Sequence, residues 1–172
     1  HQELENDINS RHSVFMRTEQ EVRIEETRVN FDRYQECDKN ELAFTRNTTE
    51  SLNNDIMGFP WKNGDEVVLG NQDYGSMVEA LKQCQSRWNI ELKVANIPIV
   101  DMANWEDALI NAYTSRISKR TKMVLLTHPI NLNGMGIPIH RLITKIREFS
   151  AEICIVVDAA HALSHLPETI GD

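Results

Sequence analysis

Ile153-Cys154-Ile155-Val156-Val157-Asp158-Ala159-Ala160-His161 is the stretch on which the fold turns. Its first five residues are apolar and mostly β-branched, which reads as a buried strand. An acid closes the run. A carboxylate at the end of a wholly apolar strand is costly to bury unless a cation or a donor meets it. The small Ala159 and Ala160 would let a flat ligand approach the backbone. Two other readings stand beside a ligand site. Asp158 could simply cap the next segment. His161 and His165, four apart, could bind a metal, but no HExxH accompanies them and Pro167 soon disrupts any helix, so no metal site is expected.

Working upstream, Met123-Val124-Leu125-Leu126 is a second apolar run, expected to be buried on both faces as in a parallel sheet. Between the two runs, Ile139, Leu142, Ile143, Ile146 and Phe149 mark an amphipathic helix. Further back, Asn104 can cap a helix whose buried stripe is Trp105, Ala108, Leu109, Ala112 and Tyr113. Ile90–Val94 and Glu66–Leu69 alternate or cluster as strands do. They flank a helix with Met77, Leu81, Cys84 and Trp88 on one face and a Ser76-x-x-Glu79 capping box. Leu42-Ala43-Phe44 reads as one more short strand, followed by a helix near Thr49–Ile56. Repeated β-α units of this size predict an α/β fold with a mostly parallel, doubly wound sheet.

Residues 1–38 differ: rich in Glu and Arg, without Gly or Pro, they predict an N-terminal helical segment of one or two helices. Ile8, Phe15, Val22 and Val29 give it a thin apolar stripe, too interrupted by polar residues for a convincing coiled coil.

Composition excludes some classes. The net charge of −8 argues against a nucleic-acid partner, which needs clustered excess Lys and Arg. No apolar run approaches the ~20 residues that span a bilayer, so no membrane partner is expected. Cys37, Cys84 and Cys154 are odd in number and widely spaced, indicating neither a zinc knuckle nor a redox pair. Cys84 and Cys154 read as small buried hydrophobes, which fits a reducing, cytoplasmic location. His1-Gln2-Glu3-Leu4 is neither an initiator methionine nor a signal peptide, leaving removal of an upstream segment, or an export signal there, open.

Ligands of open α/β sheets collect at the carboxyl ends of strands, and four such ends carry polar groups. Arg46-Asn47-Thr48-Thr49-Glu50-Ser51 could hold a phosphate at a helix N-terminus or be an ordinary cap. Asn71-Gln72-Asp73-Tyr74-Gly75-Ser76 offers an aromatic ring to a planar ligand, or is a plain turn. Thr127 to Pro138 is a loop rich in amides and glycine, where Asn131 could donate to a ligand oxygen and His128 could cap the strand. The fourth is Asp158 to His165. No P-loop, GxGxxG or GxSxG is present, which weighs against an unrelated nucleotide binder or hydrolase.

In order, these four segments resemble the pyridoxal-phosphate (PLP) enzymes of fold type I, class V aminotransferase branch, with isopenicillin-N-epimerase-like and cysteine-desulfurase-like groups nearest. Asn47-Thr48-Thr49-Glu50-Ser51-Leu52-Asn53 resembles the family's N-A-T-E-A-L-N turn. Gly64-Asp65-Glu66-Val67-Val68-Leu69 with Tyr74-Gly75-Ser76-Met77 resembles its GDEVL…EYxxM segment. His128 to Pro138 is similar to its H-x-x-x-x-x-G-x-x-x-P, and Val157-Asp158-Ala159-Ala160-His161-Ala162-Leu163 to its VDxAHALG.

The resemblance implies residues 39–172 are an incomplete PLP-binding large domain. Thr48 and Thr49 would hold the phosphate, Asn131 and His161 would lie near the phenolic oxygen, and Asp158 would face the pyridine nitrogen. Where many relatives stack a histidine on the ring, this chain offers Gln72 or Tyr74. The family's Schiff-base lysine follows the Asp by another strand. Here all seven lysines precede Asp158, so it is expected beyond Asp172 and no catalytic residue is expected within the chain. The implied function is part of a PLP enzyme, working as a homodimer, that transaminates, epimerises or cleaves an amino-acid substrate. The alternative is a truncated or degenerate, non-catalytic binding or interaction domain.

Overall fold

A computed structural model describes residues 1–98, 103–163 and 165–167, which fall into two compact units. The first comprises His1–Phe44 together with Pro167. It contains helices α1 (Gln2–Ser10), α2 (His12–Thr18) and α3 (Gln20–Gln35), then a 3-10 turn at Lys39–Glu41. The helical expectation holds, but as three helices rather than one or two. The breaks fall at Arg11 and Glu19, where φ swings to −140° and −117° without Gly or Pro. Arg11 bridges the interruptions, pairing with Asp7 before it and Glu19 after it. Of the seven-residue stripe, Phe15 is buried, Ile8 and Val29 are partly buried, and Val22 is exposed. Leu42-Ala43-Phe44 forms no strand. Three apolar residues make a strand only where a neighbour accepts their hydrogen bonds, and none pairs with them among the described residues.

The second unit, Thr45–Leu166, contains α4 (Thr48–Gly58), β1 (Glu66–Gly70), α5 (Gly75–Trp88), β2 (Glu91–Ala95), α6 (Trp105–Thr114), β3 (Thr121–Thr127), α7 (Ile139–Arg147) and β4 (Cys154–Asp158). The four strands form one all-parallel sheet in the order β2-β1-β3-β4. Side chains alternate across it, and each face buries its own layer. Val67, Leu69, Met123 and Leu125 pack with Leu52 and Ile56 of α4 and with Met77, Leu81 and Cys84 of α5. On the other face, Val68, Val124 and Leu126 meet Leu109, Ile110 and Tyr113 of α6 and Leu142 and Ile146 of α7. The sheet is therefore doubly wound. Fully burying one such leucine or isoleucine contributes about 1.5–3 kcal/mol of transfer free energy.

Several local expectations need correction. Helix α5 starts at Gly75 with Tyr74 in the capping position, so Ser76 lies inside the first turn and forms no capping box. Asn104 does precede α6, but its side chain makes no capping bond. Within α6 it is Ile110, not Ala108, that turns inward, and α7 ends before Phe149, which is exposed. Strand β4 is less covered than an interior strand because it is an outer strand of the described sheet, so Cys154, Ile155 and Val157 are only partly buried. No helix among the described residues is long and apolar enough to cross a membrane.

Candidate functional site

Chain direction reverses its progress across the sheet between β1 and β3. From β1 the chain steps outward to β2, and it then returns to place β3 and β4 on the opposite side. Loops leaving β1 and β3 consequently diverge, opening a crevice at the strands' carboxyl ends, where ligands of such sheets sit. A cavity of about 180 Å³ lies there. Thr48, Thr49, Tyr74, Asn131, Asp158 and His161 all line it. The structure thus gathers six residues spread over 114 positions of chain into one wall.

Thr48 and Thr49 occupy the first turn of α4. The cap itself is Asn47, whose side-chain oxygen accepts from the Glu50 N–H at 2.9 Å. Glu50 reaches back to the Arg46 N–H at 2.8 Å, and its pairing with Arg46 holds its carboxyl below the usual range. With Asn47 and Glu50 fixing the turn, neither threonine hydroxyl is used in it among the described residues. The first-turn N–H groups, which have no acceptor within the helix, add positive potential facing the cavity.

Tyr74 closes the turn after β1 and keeps its ring about half exposed at the cavity, whereas Gln72 is 7% exposed and lies off the lining. Asn131 stands on the loop after β3. That loop is drawn shut by the Ile130 N–H to the Met135 carbonyl, and by the Ile137 N–H donating to His128 Nδ1 at 3.2 Å. His128 is therefore buried support for the loop and not a lining residue.

Asp158 ends β4 at 6% exposure. Its Oδ1 accepts from the Ala160 N–H at 3.2 Å. Among the described residues no lysine or arginine pairs with it, and no lysine lines the cavity. A second acid stands close by. Asp73 feels the charge of Asp158, but burial is the larger cause, and its carboxyl is pushed up to about 6.

Thr127 also lines the cavity and was not singled out from the sequence. The signal was present: it is a polar residue closing the apolar run Met123–Leu126, just as Asp158 closes the run before it. Leu52, Met77, Pro129 and Ala160 complete the lining. They carry no polar group that a motif would expose.

The pattern of the aminotransferase class-V family matches residues 2–171. A probable cysteine desulfurase of Haemophilus influenzae is 34% identical over 146 residues, covering 78% of this chain and 30% of that protein. One of Mycoplasma genitalium is 30% identical over 148 residues, covering 83% and 34%. Among solved structures, C-DES with glycine covalently linked to its PLP cofactor superposes with a TM-score of 0.78 at 17% identity, covering 94% of this chain and 44% of that one. The cysteine desulfurase CsdA from Escherichia coli gives 0.72 at 19% identity, covering 86% and 36%. At such identities the structures share the fold. The chain spans about a third of the length of these two curated relatives. With a matching pattern over almost its whole length, the chain belongs to the aminotransferase class-V family.

Proposed function

We propose that this chain supplies the cofactor-holding end of a PLP-dependent enzyme acting on an amino acid. Cysteine desulfuration is favoured among the family's reactions, because the relatives quoted above are named for it. The observation that carries the reading is Asp158: a buried carboxylate without a cationic partner among the described residues, sharing one cavity with the N-terminus of α4.

The donor set fits the cofactor group by group. Thr48, Thr49 and the α4 N-terminus would hold the phosphate. Asn131 and His161 would meet the ring's oxygen, Tyr74 would face the ring, and Asp158 would hold the proton on the pyridine nitrogen. When bound, PLP supplies an electron sink for bonds broken at the substrate's α-carbon. The part played by Asp158 is electrostatic. A carboxylate in a poorly hydrated site favours the protonated form of a neighbouring base, and so keeps the positive charge where the sink needs it. Asp158 itself is buried, and the scarcity of water around it strengthens that interaction.

The lysine that carries PLP in such enzymes would lie outside these 172 residues, since every lysine here precedes Asp158 and none lines the cavity. A homodimeric, cytoplasmic enzyme belongs to the same reading. The test is equilibrium binding of pyridoxine 5′-phosphate, which has the ring and phosphate but no aldehyde and so does not depend on the lysine. Saturable binding that Asp158→Asn weakens supports the proposal, and its absence overturns it. Release of sulfide from cysteine by the complete gene product tests the reaction, and transamination without sulfide release would move the assignment within the family.

A further inference from the structure

Asp73 lies outside the cavity lining yet touches what shapes it. Its Oδ2 accepts from the Gly70 N–H at 2.7 Å, turning the chain back on the end of β1. Its Oδ1 accepts from the Thr127 hydroxyl at 2.8 Å, reaching the end of β3, 54 residues away in sequence. Thr127 is the register partner of Asp158 across β3 and β4. Paired residues of a parallel sheet present their side chains to the same face, and both of these line the cavity. The next residue after Asp73 is Tyr74, which leads into α5 and also lines the cavity.

We propose that Asp73 is a positioning residue for this site: it ties the Tyr74 turn to the end of β3 and orients the Thr127 hydroxyl so that the floor beside Asp158 accepts protons and offers none. The inference rests on the cofactor reading above. The chemistry follows from the hydroxyl's inventory of one proton and two lone pairs. A Thr127 whose proton is given to Asp73 shows only lone pairs to the cavity. Together with Asp158 it selects a cationic, N–H-bearing ring edge over an anionic or carbonyl edge.

Close packing holds the arrangement. A Cβ on Gly70 would fall 2.5 Å from the Tyr113 hydroxyl and 3.1 Å from Asp73 Oδ1, so only glycine lets the carboxylate approach the strand end. The titratable groups facing Asp73 are Asp158 from β4 and Tyr113 from α6; burial keeps the Tyr113 phenol neutral, so the charge that repels Asp73 is that of Asp158. A cation bound at Asp158 would relieve that repulsion, and binding would release Asp73's proton.

The experiment compares the chain with Asp73→Asn and Thr127→Val, binding pyridoxine 5′-phosphate from about pH 5 to about pH 8. The ligand's phosphate titrates near pH 6 with every protein alike, so the difference between profiles reports Asp73. Asp73→Asn is expected to match the parent at the acid end, where Asp73 carries its proton. It should bind roughly tenfold more weakly at the alkaline end. Thr127→Val, similar in shape, should lose affinity at a modest cost in thermal stability, since it strips a donor from partly buried Asp73 but leaves the packing in place, and it carries the test if Asp73→Asn does not fold. Parallel profiles of equal affinity for parent and folded Asp73→Asn, or parent-like binding by Thr127→Val, overturn the inference while leaving the cofactor reading intact. No binding by the parent at any pH overturns both.

Discussion

The two ends of the sheet treat their acids in opposite ways. At the amino end of β1, Glu66 is 2% exposed but fully answered: Arg120 meets it at 2.7 Å, Lys93 at 3.6 Å, and the Ser118 hydroxyl donates to it. Arg120 and Lys93 also share Glu91, whose carboxyl they hold below its usual range. At the carboxyl end, Asp158 and Asp73 receive hydroxyl and backbone donors but no cation among the described residues. Charges paired within the chain are already satisfied in the ligand-free fold. A carboxylate left without a cation costs stability and favours whatever positive group can reach it. The first end reads as structure, and the second carries the proposed binding site.

Mutation can break that contrast. The largest effect on stability is expected at Glu66: Glu66→Ala should cost about 2 kcal/mol, because it takes the acceptor from the Ser118 hydroxyl and empties a buried position, while the more exposed Arg120 and Lys93 keep Glu91. A shift of the urea midpoint at unchanged slope would measure it. Asp158→Asn should do the reverse. It should leave the ligand-free fold as stable or about 1 kcal/mol more stable while weakening pyridoxine-phosphate binding by roughly a hundredfold. Paired thermal melts with and without ligand would show both signs, and loss of ligand-free stability would mark Asp158 as structural.

The pH dependence is a smaller effect with a definite sign. In the fold the Asp73 carboxyl keeps its proton up to about 6, against an ordinary value of 3.8. The native state therefore binds the extra proton in that window, so this group's contribution to stability falls as pH rises from 3.8 to about 6. The lowered carboxyls of Asp7, Glu25, Glu50 and Glu91 act oppositely, losing their contribution as pH falls. Subtracting the Asp73→Asn stability profile from the parent's isolates the first slope, and a flat difference would refute it. The smallest effect belongs to Lys82→Ala. Its pair with Glu79, 2.7 Å apart, is exposed on both sides, and the melt should not change measurably.

Much of this is legible in the sequence. Met123–Leu126 and Ile153–Val157 announced strands by unbroken apolar runs, and Asp158 stood out because an acid terminated one of them. The same logic applied to Thr127, but a hydroxyl is cheap enough to bury that it raised no alarm. Leu42-Ala43-Phe44 misled because composition cannot supply a pairing partner. Ser76 misled because α5 begins two residues earlier than a Ser76 cap would start it, with Tyr74 in the capping position. The interruptions at Arg11 and Glu19 were invisible because no breaker residue marks them.

By itself the sequence determined the alternation of helix and strand and the polar residues that punctuate strand ends, since periodicity and composition are local records of which side chains meet water. Tertiary structure decided that β3 follows β1 across the sheet, and with that the crevice uniting Thr48 with His161 and the contact of Asp73 with Thr127. Strand order is a property of hydrogen bonding and packing between distant segments, which no single stretch of sequence contains.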